Sequence, residues 1–117
     1  MRALYVPAVL AFAAIGCAGQ DIPTRELART EAAVRAASEV GAREVPRASL
    51  HLKLAQDQLA LAQRHIQEEN MDLARGALER ATYDAEMALA LAREEQTRES
   101  AREARKKVEV LRTSAQQ

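Results

Sequence analysis

The sequence predicts an all-α fold: an antiparallel helical hairpin with a shorter N-terminal helix, three-helix bundle-like, and a long C-terminal helix projecting beyond it. Three observations predict it. Beyond the first seventeen residues the apolar positions are mostly Ala and Leu, which with Glu, Arg and Gln are strong helix formers. These apolar residues recur at spacings of three and four, the period of one helix face, rather than at the alternation of a strand. Breaks in that period coincide with helix punctuation, at Pro23, at Gly41 and Pro46, and at Glu68-Glu69-Asn70.

The first helix is expected over residues 24–40. Thr24 offers a capping hydroxyl, Glu26 suits the first turn, and Gly41 supplies a left-handed stop after Val40. Leu27, Ala33, Val34, Ala37 and Val40 form its apolar stripe, with Glu31 and Arg35 an i,i+4 pair on the wet side. Residues 41–45 make a loop, and Pro46 fits a helix start, where its missing N–H costs nothing. The second helix, 46–69, carries Leu52, Ala55, Leu59, Ala62 and Ile66, and Leu50, Leu54 and Leu61 broaden the stripe. That breadth predicts contacts on two sides and makes it the element expected to be most buried. Asn70 is the residue expected to turn left-handed, with Asp72 favourable at the next helix start.

The third helix is expected over 71–112, presenting Ala74, Ala77, Leu78, Ala81, Ala85, Ala88 and Leu91 as a small-residue face that a Leu-rich partner can approach closely. Its length would be about 63 Å against about 36 Å for the second helix, so residues 96–117 should project as a charged helical arm with a frayed end. Glu94 with Arg98 and Glu103 with Lys107 stand at i,i+4 spacing there. The arm keeps one narrow candidate interaction seam, Ala101, Ala104, Val108 and Leu111. It reads either as a solvated helix or as a coiled-coil surface; two heptads fall short of the three or four a coiled coil sustains, which favours the first.

The whole chain of 117 residues is one domain at most, with a helical domain expected over 23–95. Lys plus Arg and Asp plus Glu are 17 each, and loss of Arg2 would leave one excess negative charge, so no basic field is present to hold nucleic acid. The single cysteine, Cys17, cannot form an internal disulfide. Ahead of it, Arg2 and an uncharged run from Ala3 to Ile15 have the layout of a secretory leader, expected over 1–16. As a helix that run spans about 20 Å, short of a bilayer core of about 30 Å. Cleavage near Ala11-Phe12-Ala13 with an incidental cysteine, or retention as an uncleaved anchor, are the other readings of this segment.

The run Ala14-Ile15-Gly16-Cys17 resembles the lipobox of bacterial lipoproteins, with Ala14 where Leu is usual. The resemblance implies cleavage between Gly16 and Cys17, a diacylglyceryl group on the Cys17 thiol and acylation of the new amine. Two or three acyl chains would hold the protein stably on a membrane. Residues 17–22 would then be the lipidated cysteine and its tether. Ala18 and Gly19 follow the cysteine instead of the Asp that typically signals inner-membrane retention, which implies a lipid anchor in the outer membrane facing the periplasm. A soluble periplasmic protein is the alternative.

A second resemblance covers about Pro23 to Glu95. Pro23…Leu27-Ala28…Ala32, Gly41-Ala42…Pro46…Leu50…Leu54-Ala55…Leu59…Ala62 and Leu73-Ala74…Ala77…Ala81…Asp84-Ala85…Ala88 are similar to the small bacterial lipoproteins and envelope proteins grouped as domain of unknown function 4398. It implies the fold and an envelope setting, and carries no reactive residue. Ala62, Ala74, Leu78 and Ala81 resemble one tetratricopeptide hairpin, but a second period and the closing Pro are missing.

No catalytic, cofactor-binding or metal site can be assembled from the sequence. His51 and His65 lie fourteen residues apart, far from the i,i+4 spacing that chelates zinc on one helix face. Ala48 and Ala62 stand where a Glu-x-x-His bundle signature needs Glu. Glu68, Glu69 and Asp72 cluster at a turn without a calcium-loop spacing. The expectation is therefore a non-enzymatic, outer-membrane-anchored periplasmic lipoprotein, a helical structural or interaction module of the envelope with no cofactor, nucleic acid or small-molecule substrate. Its partners would be the membrane, through lipid on Cys17, and an envelope protein or a second copy, through the helices. The alternatives are a coiled-coil oligomeric spacer associated non-covalently with peptidoglycan, covalent attachment being disfavoured because Thr113 to Gln117 lacks the C-terminal lysine it uses, and a small-ligand carrier or accessory subunit.

Overall fold

The computed structural model describes residues 21–116, so the leader, Gly16, Cys17 and most of the tether lie outside the described residues. Three helices account for the described chain: α1 (Thr24–Glu39), α2 (Pro46–Gln67) and α3 (Met71–Ala115). The architecture is all-α, and no strand occurs among the described residues.

Polar contacts fix the helix directions. Arg75 donates to the Asp21 carbonyl (3.0 Å), Arg29 pairs with Glu86 (2.9 Å), and Gln96 donates to the Val40 carbonyl (3.2 Å). Numbers rise together on α1 and α3, so these helices run parallel. On α2 they fall as α3 rises, since His51 bonds Asp84 and Gln58 accepts from Arg80, and the pair is an antiparallel hairpin.

Both turns between helices are Schellman motifs. After α1 the Ala42 N–H bonds the Ala37 carbonyl (3.1 Å) and the Gly41 N–H that of Ser38 (3.2 Å). After α2 the Asn70 N–H bonds His65 (2.8 Å) and the Glu69 N–H bonds Ile66 (3.1 Å). Each motif needs one left-handed residue. Gly41 supplies it at φ 87°, but at the second turn the residue is Glu69, at φ 61°, and not Asn70. Chain geometry decides this: once α2 stops at Gln67 with Glu68 as its cap, the left-handed position falls two residues after the last helical one, whatever stands there. Thr24 is likewise already inside α1, behind Pro23, and makes no capping bond.

The core is built from alanine. Eleven of the fourteen buried hydrophobic side chains are Ala, so helix backbones approach closely where larger residues would hold them apart. α3 carries most of them: Met71, Ala74, Leu78, Ala81, Ala85, Ala88 and Ala92 at alternating spacings of three and four, with Ala77 beside them. It packs against α1 on one side and α2 on the other, while α1 and α2 meet much less. α3 thus supplies more of the core than α2, eight buried side chains against four, although α2 is the shorter helix. Leu50 and Leu54 flank the α2 seam and stay exposed, because the alanine face they were expected to cover is narrow.

Among the buried residues Thr30 is the polar member. It replaces an apolar residue in the α1 stripe between Leu27 and Val34, and its hydroxyl lies 2.7 Å from that of Thr82 and 2.9 Å from the Glu26 carbonyl. One Thr–Thr hydrogen bond therefore joins α1 to α3 at the centre of their contact. Two ion pairs expected from spacing do not form: Glu31 accepts from Gln63 of α2 rather than pairing with Arg35, and Glu103 and Lys107 stay apart, whereas Glu94 and Arg98 pair at 2.6 Å.

The core seam ends at Ala92 for a reason visible in the chain. Continuing its spacing gives Glu95, Glu99, Arg102 and Lys106, which no apolar neighbour could cover. Gln96 is the last α3 residue bonded to α1, and every described residue from it onward is exposed. α3, about 68 Å long, thus leaves an arm of nearly thirty ångströms beyond the bundle, and its helix runs to Ala115 rather than ending at 112.

Four substitutions check this reading in urea unfolding. Glu69→Gly stabilises by about 0.5–1 kcal/mol by relieving the left-handed strain, while Gly41→Ala, whose new Cβ would lie 3.1 Å from Glu44 Oε2, destabilises by about 1–2 kcal/mol. Ala85→Leu costs about 1–3 kcal/mol by forcing α2 and α3 apart. Thr30→Val keeps the shape, removes the bond to Thr82, and costs about 1 kcal/mol.

Candidate interaction surface

Among the described residues no group of three or more His, Cys, Asp or Glu side chains is placed to hold a metal ion. Two open grooves border α3. One, about 450 Å³, lies against α1 near Glu26, Leu78 and Tyr83; the other, about 600 Å³, lies at the α1–α2 loop near Glu44, Glu95 and Glu99. Neither converges polar groups on an enclosed point, and their walls include the ion pair Arg29–Glu86, which closes on itself.

The histidines serve the fold. Half-buried His51 donates from Nδ1 to Asp84 Oδ1 at 2.8 Å, tying the start of α2 to the middle of α3. His65 Nδ1 lies 3.5 Å from Glu68 Oε2, close enough for attraction but not aligned as a hydrogen bond, and has no other polar partner. The sequence marks Asp84 only within the family pattern and not as the partner of His51, since neither period nor motif shows that a carboxylate meets a residue thirty-three positions away.

The surface that remains is one face of α3. Ala101, Ala104, Val108 and Leu111 are all exposed, and Val108 and Leu111 are 54% and 67% open to solvent. At 100° per residue this seam sits roughly 130° round the helix from the core seam, on the side that neither α1 nor α2 covers. Traced back into the bundle, the same face carries Ala90, Tyr83 and Leu73, and Tyr83 and Leu73 are 66% and 57% exposed. The seam of the arm therefore continues back along α3 as one face, interrupted by Arg80, Glu94 and Thr97.

Charge is divided along the chain. Residues 21–97 hold fourteen acidic and ten basic side chains; residues 98–112 hold three acidic and six basic. Arg98 and Arg102 reach back to Glu94 and Glu95, whereas Arg105, Lys106, Lys107 and Arg112 meet no carboxylate within 4.0 Å among the described residues. The uncovered face of α3 is thus acidic-flanked at its bundle end and basic-flanked along the arm. No helix among the described residues is long and apolar enough to cross a membrane.

The pattern of the family described as Domain of unknown function (DUF4398) matches residues 25–116, and the chain belongs to that family. No curated protein and no solved structure matches it.

Proposed function

We propose that this DUF4398 protein is a non-enzymatic lipoprotein, tethered to the outer membrane through lipid on Cys17, whose helices form a structural or interaction module of the cell envelope. The observation that carries the reading is α3: it lines a bundle with alanine to hold two short helices, then extends for about two-fifths of its length as bare helix with an uncovered apolar seam. A helix held out in this way presents surface and encloses nothing. Enzymes and ligand carriers need convergent polar groups in a concave site, and the inward positions here are Ala and Leu.

The point where the chain enters the bundle and the arm lie at opposite ends of the rod. Asp21 is held beside Arg75 in the first turns of α3, so the chain enters the bundle at the α2–α3 turn, while Ala115 lies about 60 Å away. A lipid on Cys17, four residues before Asp21, would fix the turn end to the membrane and leave the arm free to meet a partner.

Radiolabelled palmitate supplied to cells making the protein should label the wild type and leave Cys17→Ser unlabelled, with the labelled form in the outer-membrane fraction. Equal labelling of both proteins would overturn the anchor. A photocrosslinker at Arg102 should trap a discrete species; a ladder without a dominant product would return the arm to a solvated helix.

A further inference from the structure

We propose that the uncovered face of α3 pairs with the same face of a second copy, antiparallel, about a two-fold axis level with Ala92. This names a partner for the interaction module proposed above and rests on that reading only for its setting in the envelope.

The stripe is longer than the arm seam alone. From Leu73 to Leu111 the uncovered face advances by alternating steps of three and four, Leu73, Gly76, Arg80, Tyr83, Met87 and Ala90 in the bundle and on through Glu94 and Thr97 to the arm seam. That face spans between five and six heptads, interrupted by Arg80, Glu94 and Thr97, where the arm seam by itself spans two. Folding α3 back on a copy of itself about residue 92 sets Leu73 against Leu111, Gly76 against Val108, and Tyr83 against Ala101. Each of the four large exposed side chains of this face meets an apolar or small residue, and none meets a charge. Leu73 and Leu111, each more than half exposed in the monomer, close both ends of the contact. Tyr83 lies over a small side chain that leaves room for its ring, and Val108 over a glycine. Arg80 and Glu94 also fall on the stripe, opposite Ala104 and Ala90. Both are long enough to carry their charge to the rim, and Arg80 already reaches Gln58.

Charge fixes the direction. In the antiparallel register Glu79 stands beside Arg105 and Lys107 of the second copy, so the basic arm of each protomer lies along the acidic bundle of the other. A parallel alignment would instead set basic arm beside basic arm and acidic bundle beside acidic bundle. Flanking charges of this kind choose partner and orientation in helix pairs. Because the contact is isologous, every pair occurs twice, and closure leaves no surface to propagate a filament. Each three-helix bundle gains the partner's arm as a fourth helix, and the arm gains the cover it lacks. The two N-terminal ends then lie about 60 Å apart, so a dimer with both anchors in one membrane lies along its surface.

The test uses the full chain carrying Cys17→Ser, in detergent, so that it stands whether or not the protein is lipidated. Adding Leu73→Cys and Leu111→Cys together and oxidising should give a covalent dimer on a reducing-agent-free gel, since within one chain these positions are too far apart to join. Leu111→Cys alone should give none, its two copies lying more than 50 Å apart in this register. Dimer from the single variant at the yield of the double one would show a parallel contact and overturn the proposal; no dimer from the double variant would overturn it as well. In sedimentation, Glu79→Lys should weaken association about tenfold through its two symmetry-related contacts, and adding Lys107→Glu should restore it. A charge-swapped protein that stays as weak as the single variant would exclude this register. A failed palmitate label with a positive crosslink would remove the anchor and leave the dimer.

Discussion

The distance between helix backbones is the constraint on which the structure depends, and alanine sets it. A buried Ala contributes about 0.8 kcal/mol of transfer free energy where a Leu contributes about 1.5–3 kcal/mol, so a core of eleven alanines is thin by area. It compensates by shape: with methyl groups along both sides of α3, α1 and α2 approach closely enough for backbone atoms to make dispersion contacts. Leu78 and Thr30 are the largest side chains fully enclosed, and they sit where α1 meets α3. Such a core tolerates no added volume, and its narrowness leaves two sides of α3 covered and one bare.

That bare side explains what the sequence could and could not disclose. Helix positions were legible because Pro46 and Gly41 mark a start and a stop by covalent geometry and the Ala/Leu period marks the buried face. The α2–α3 turn was legible as a break but not in its detail, since a Schellman motif assigns the left-handed position by counting from the helix end, and Glu69 carries no signal of it. Thr30 and Asp84 were hidden for a different reason. Each is polar, breaks an apolar pattern or lies outside it, and finds its partner only after three helices are assembled. Exposed leucines on α2 were misread as core because a stripe's width shows how much apolar surface a helix offers, not how much its neighbour can cover.

The arm seam was legible in full, Ala101, Ala104, Val108 and Leu111 being a plain heptad pattern, but its orientation was not. Only the folded bundle shows that the core seam and the arm seam occupy different faces of one helix. Had they been the same face, α1 and α2 would compete with any partner for it, and the arm would be the frayed remainder of an unfinished bundle. Separated by about a third of a turn, the two faces can be filled at once.

This separation also bears on the charge balance. A chain with equal numbers of acidic and basic groups has no net field to steer a partner, yet here the balance is reached by an acidic bundle and a basic arm rather than by mixing. A segregated helix attracts its own reverse, because antiparallel alignment is the arrangement that brings both halves against opposite charge. Exposed ion pairs are individually weak, and they do not supply the affinity. They select direction for an apolar stripe that would otherwise pair in several registers, and the stripe in turn gives those charges a fixed distance at which to act. An arm with this composition on the core face would have had neither, which is why the same fifteen residues read as solvated helix in isolation and as half of an interface on the intact rod.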